Sequence, residues 1–124
     1  GSAVVYRNET KHTWLDVPRK ILIRPGPVSQ IVAKAMARGV LIATPEADVA
    51  ASITGHFGPD APRQQDGLFF VGIASRNTNA PRVVVHRFRF PQPMHELTPL
   101  KVRRQRQHQA GRIVCQLLAD HLQP

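Results

Sequence analysis

The chain has 124 residues, 42% of them hydrophobic, with 17 basic against 8 acidic side chains and a net charge of +9. That length sets one domain with its own core, the apolar content argues against wholesale disorder, and no run approaches the ~20 apolar residues that cross a bilayer. A single cysteine, Cys115, excludes an internal disulfide and is expected to be a small buried residue of a reducing, cytoplasmic protein.

Val4, Val5 and Tyr6 are β-formers and predict a short buried strand. NETKHTWLD follows as a helix, with Asn8 in the N-cap position and Glu9 in the first turn. Pro18 closes or restarts that helix, and RPGP at 24–27 breaks the chain. Val28, Ile31, Val32, Ala35, Met36, Gly39 and Val40 then recur at helical spacing behind a Ser29 cap, opposite Gln30, Lys34 and Arg38. Thr44-Pro45 ends this second, longer helix.

DVAASITG (48–55) predicts another buried strand, HFGPDAPRQQD a loop, and GLFFVGIAS (67–75) a central strand covered on both faces. RNTNAP turns the chain into RVVVHRFRF (82–90). There Val84, Phe88 and Phe90 share one side and Arg87 and Arg89 the other, the pattern of an outer strand antiparallel to its neighbour. Thr98-Pro99 opens the last helix in cap-then-proline order, with Ala110, Ile113, Val114, Leu117, Leu118 and Leu122 as its buried stripe. Together these elements predict an α/β fold: a single three-layer domain with a mixed sheet flanked by helices, its first two strands being parallel neighbours.

Ligands of open α/β sheets bind beyond the carboxyl ends of strands. That rule brings Tyr6 to Lys11 and Thr54 to Pro62 to one crevice. The glycines of TGHFGP permit close backbone approach, and Thr54 adds a hydroxyl, which suits a phosphate- or amide-bearing ligand. Lys11, if buried, has the lowered proton affinity of a base for a hydroxyl nucleophile, with Tyr6 orienting or relaying a proton. The structural alternative is a strand-end tyrosine and a solvated lysine. None of Ser2, Ser29, Ser52 or Ser75 is convincing as that nucleophile, since Ser29 serves as a cap, Ser52 lies within a strand and Ser75 ends a different one. His12, His56, His86, His95, His108 and His121 show no metal-ligand spacing, so neither metal nor cofactor is expected.

The basic charge is concentrated: 8 of the 17 basic residues lie from Arg82 to Arg112, where Glu96 is the only acid. On a helix, KVRRQRQHQ spreads its charges. Lys101, Arg104 and His108 share one face while Arg103, Arg106 and Gln107 lie around from them. Without interleaved aromatics this reads as a solvated helix exterior, and a nucleic-acid role is the lesser rival.

In order and spacing, VVYRNETKHTWLDVP, GPVSQIVAKAMARGV and ADVAASITGHFGP resemble the CinA C-terminal domain family, the competence-damage-inducible proteins and nicotinamide-nucleotide amidohydrolases. The resemblance continues through DGLFFVGIA and HRFRFP into the last helix, so it covers nearly all of residues 1–124. It implies hydrolysis of the carboxamide of nicotinamide mononucleotide by a serine, a lysine and a tyrosine, in a cytoplasmic homodimer. The family's Tyr-x-Asn-x-x-Lys block falls on Tyr6 and Lys11. Its Thr-Gly-x-x-Gly-Pro block, which borders the substrate, falls on Thr54, Gly55, Gly58 and Pro59. The serine belongs to a Glu-Ser-Cys-Thr-Gly-Gly segment on a helix upstream of the tyrosine, which residues 1–124 lack. HFGPDAP also departs from the family's smaller loop, with His56, Phe57 and Asp60 narrowing or repurposing the pocket. A non-catalytic nucleotide-binding or regulatory module is the alternative.

Overall fold

A computed structural model describes every residue except 60, 78, 94, 95 and 124, so Asp60 and His95 lie outside the described residues. The elements run α1 (Asn8–Leu15), α2 (Arg19–Ile23), α3 (Gln30–Ala43), β1 (Val49–Gly55), β2 (Leu68–Ser75), β3 (Arg82–Arg89) and α4 (Pro99–Leu122). The strands lie in the order β1-β2-β3, antiparallel throughout, with Ile53 opposite Val71 and Val71 opposite His86.

Strand alternation divides the core between two helices. Ala50 of β1 and Ala74 of β2 pack with Ala37 and Leu41 of α3. On the same face, Ser52 donates to the Ala33 carbonyl at 2.7 Å and Thr54 to the Pro27 carbonyl at 2.6 Å. Phe69, Val71 and Ile73 point the other way, into a cluster with Ala110, Ile113, Val114, Leu117 and Leu118 of α4. The sequence is therefore α/β in three layers: α3, sheet, α4. A separate cluster of Val5, Leu15, Val17, Ile21, Leu22, Val32 and Met36 binds α1 and α2 to α3. None of the described helices is long and apolar enough to cross a membrane.

Local chemistry explains the ends of the helices. Ser29 caps α3 by accepting from the Val32 N–H, and Thr98 caps α4 by accepting from the Lys101 N–H ahead of Pro99. Helix α1 begins differently from expectation: Arg7 is its N-cap, without a side-chain cap, and Asn8 is its first helical residue.

The expected first strand does not form. Val4 and Tyr6 are 86% and 84% exposed and only Val5 is buried, as a plug in the α1–α2–α3 cluster. So short a run offers few ladder bonds, and β1 instead takes its partner from the hairpin that follows it. The parallel pairing that would have made the sheet mixed is thus absent among the described residues.

Helix α4 holds two further corrections. Its inward line runs Val102, Arg106, Ala110, and then Ile113, Val114, Leu117 and Leu118. Cys115 follows Val114 by one residue, which turns it ~100° away from that line, and it is exposed rather than buried. Leu122 is 67% exposed and stands outside the stripe.

Candidate functional site

The loop leaving β1 continues the hairpin before it turns. His56 donates its N–H to the Leu68 carbonyl at 2.9 Å, and Gly67 returns one to the His56 carbonyl at 2.8 Å. The Phe57 ring then folds back into the core, with centroids 5.9 Å from Phe69 and 6.3 Å from Phe90. Gly58 turns the chain at φ +52°, a conformation that suits glycine. A Cβ there would also collide with the carboxylate of Asp66.

That carboxylate belongs to a buried ion pair. Arg106 of α4 donates through Nη1 to Asp66 Oδ1 at 2.6 Å and through Nη2 to Asp66 Oδ2 at 3.0 Å. The same guanidinium donates to the Phe57 carbonyl at 3.0 Å and to the Pro91 carbonyl at 3.2 Å. The two side chains are 5% and 7% exposed. Arg106 is therefore the correction to a wholly solvated helix exterior, and it is removed from the surface charge open to nucleic acid. Its neighbours Lys101, Arg103, Arg104 and His108 are exposed as expected. His56, half-buried beside this pair, has its pKa lowered by burial, with the Asp66 charge opposing that shift.

Lys11 is buried, which the sequence left open. Its Nζ donates to the Val5 carbonyl at 2.7 Å and the Tyr6 carbonyl at 3.2 Å. Loss of hydration lowers its pKa from the ordinary lysine value. Tyr6 meets Lys11 through its main chain, while its ring stands in solvent. Thr54 is buried with its hydroxyl proton committed to Pro27, so towards a ligand it has only lone pairs to offer. Gly55 and Pro59 are half-buried and Gly58 is buried. Among the described residues no hydrogen bond joins Tyr6 or Lys11 to the 54–59 loop.

Asp66 and Arg106 were not singled out from the sequence as a pair. A signal for Arg106 was present: it falls midway between Val102 and Ala110 on one i, i+4 line. A second juxtaposition lies at the other end of β1, where Ser75 Oγ and His121 Nε2 are 2.6 Å apart on the surface. Among the described residues no group of three or more His, Cys, Asp or Glu side chains could hold a metal ion.

Comparison with known proteins agrees with this architecture. A competence-damage inducible protein of Halalkalibacterium halodurans is 41% identical over 78 residues, and a CinA-like protein of Geobacter metallireducens is 40% identical over 77. These alignments take in 62% and 60% of the chain but 18% of each relative, so the matched stretch is less than a fifth of these two proteins. Among solved structures, a CinA superfamily protein of Klebsiella pneumoniae superposes with a TM-score of 0.75 at 22% identity, over 93% of this chain and 64% of that one. This shows likeness of fold. The Agrobacterium tumefaciens competence/damage inducible protein gives a TM-score of 0.65 at 28% identity, over 80% of this chain and 56% of its own. The profile of the CinA C-terminal domain matches residues 1–117. From its first residues to the last turns of α4, the chain belongs to the CinA C-terminal domain family.

Proposed function

We propose that the chain is the base- and loop-bearing part of an amidohydrolase acting on the carboxamide of nicotinamide mononucleotide. A serine outside residues 1–124 attacks the amide carbon, and Lys11 takes its proton. Collapse of the tetrahedral intermediate breaks the C–N bond as Lys11 returns that proton to the leaving nitrogen, which departs as ammonia. Water then cleaves the acyl-serine to give nicotinate mononucleotide. Tyr6 is the proton relay in this reading. The backbone at Thr54 to Pro59 borders the substrate and holds it against the reacting groups.

The observation that carries the reading is the state of Lys11. Its amine is buried, both of its hydrogen bonds go to main-chain carbonyls, and its pKa is lowered. An amine without a paired carboxylate has more of the neutral form that accepts a proton. A solvated structural lysine would need none of this.

The test is ammonia release from nicotinamide mononucleotide by the full-length protein. Activity that disappears in Lys11→Ala and falls in Tyr6→Phe, with both variants folded, supports the reading. Full activity in both variants removes Lys11 and Tyr6 from the mechanism. One observation favours a second reading, a nucleotide-binding module without catalysis: the Tyr6 ring is exposed, and it is the Tyr6 main-chain carbonyl that meets the Lys11 amine. A folded full-length protein that binds the nucleotide and releases no ammonia selects that module.

A further inference from the structure

The function proposed above uses the loop after β1 and leaves unused the two most buried charges packed against it. We propose that the Asp66–Arg106 ion pair is a positioning device: it moulds the 55–59 loop and so sets how tightly the site holds its nucleotide. This inference rests on reading that loop as the border of the substrate.

The geometry separates the pair from simple glue between α4 and the sheet. A buried ion pair stabilises little beyond what two apolar side chains of similar size achieve, because both charges are stripped of water. Its distinctive property is direction. The guanidinium fork is planar and rigid, and here it makes four hydrogen bonds of fixed direction. Two go to Asp66, one to the Pro91 carbonyl, and one to the Phe57 carbonyl within the loop itself.

The grip on the loop comes from two sides. The Phe57 ring is held by Phe69 and Phe90, while its carbonyl is held by Arg106. The peptide that follows enters Gly58, whose missing side chain leaves the space that the Asp66 carboxylate occupies. The turn is thus shaped around the carboxylate. On the upstream side, the His56 main chain is fixed to Leu68 and Gly67. The backbone from Gly55 to Gly58 is therefore held at both ends, and the pair is the only charged group among the described residues that does part of the holding.

The experiment replaces the pair with apolar residues, Asp66→Leu together with Arg106→Met, in the full-length protein. Such a replacement can preserve the fold while removing the donor to Phe57. The expected result is a KM for nicotinamide mononucleotide raised about tenfold with kcat held within about threefold, the signature of lost binding rather than lost chemistry. Backbone amide resonances of Gly55, His56 and Gly58 shift at the same time. A folded double variant with parental KM and unmoved loop resonances overturns the inference. Should the double variant fail to fold, Arg106→Lys serves in its place. Lysine keeps the charge but cannot hold Asp66, Phe57 and Pro91 together, so the same KM rise and resonance shifts are expected, and their absence overturns the proposal. If the parent releases no ammonia, the hydrolase reading fails on its own. The loop resonances of the variants then decide this inference, shifted for it and unshifted against it.

Discussion

Gly72 of β2 lies directly beneath Ala33 of α3. A Cβ built on Gly72 would come within 2.7 Å of the Ala33 carbonyl oxygen and 2.8 Å of Ser52 Oγ. Helix and sheet therefore meet backbone to backbone at this point, and the Ser52 hydroxyl fixes the approach by donating to the same carbonyl. Gly72→Ala should cost about 1–3 kcal/mol through overpacking. Gly111→Ala, where nothing lies within 4 Å of the new methyl, should instead gain about 0.5–1 kcal/mol through helix propensity. Urea denaturation of the two variants checks both signs, and a neutral Gly72→Ala would mean that α3 is not seated as described.

Removing one partner of the buried pair should be far worse than removing both. Asp66→Ala leaves the Arg106 guanidinium buried without its carboxylate, at a cost of about 3–5 kcal/mol. The double replacement by Leu and Met should recover most of that loss. Equilibrium unfolding of the single and double variants measures the difference. Equal losses would show that the two side chains do not act as a pair.

His56 should titrate below the usual histidine range. Burial lowers its pKa and the Asp66 charge partly restores it. Because the folded value lies beneath the unfolded 6.5, the unfolded chain binds the extra proton between them. The stability that neutral His56 contributes is present above 6.5 and is lost as the pH falls towards the folded pKa. In an NMR titration, Asp66→Asn should lower the His56 pKa further, and an upward movement would contradict the placement of the two groups.

Lys11 gives a dependence at the other end of the pH scale. Its folded pKa lies below the unfolded 10.5, so between those values the unfolded chain again holds more protons. Stability should therefore rise with pH through that window, as the penalty for burying the ammonium is relieved. Lys11→Met lacks the titrating group, so the parent should gain on this variant as the pH approaches 10.5. Parallel stability curves would show that the amine is hydrated in the folded protein.

The sequence is informative where one physical signal dominates. The period of the α3 segment, the Ser29 and Thr98-Pro99 caps, and the continuous apolar run of β2 each identify their element, although Ile31, placed in the α3 stripe, is 46% exposed and the buried face runs through Val32, Ala33, Met36, Ala37 and Leu41. Val4 to Tyr6 misleads because β propensity describes a side chain's fit to a pleated surface and cannot say whether a partner strand is there. Lys11 was legible as a candidate through its block with Tyr6, yet its burial depends on α1 folding back over Val5. Arg106 was hidden by its company. In a run of basic residues, composition suggests solvent, and only the register against Val102 and Ala110 distinguishes the one arginine that turns inward. Asp66 carried no local signal, since its partner is 40 residues away.

That separation implies an order of assembly. The sheet is a meander of strands adjacent in sequence, so its pairings need only short closures. The loop after β1 acquires its ion pair only when α4 swings back over the open face of the sheet. The expected order closes the hairpin first and shapes the candidate ligand loop last, on docking of the C-terminal helix rather than with the strands that carry it.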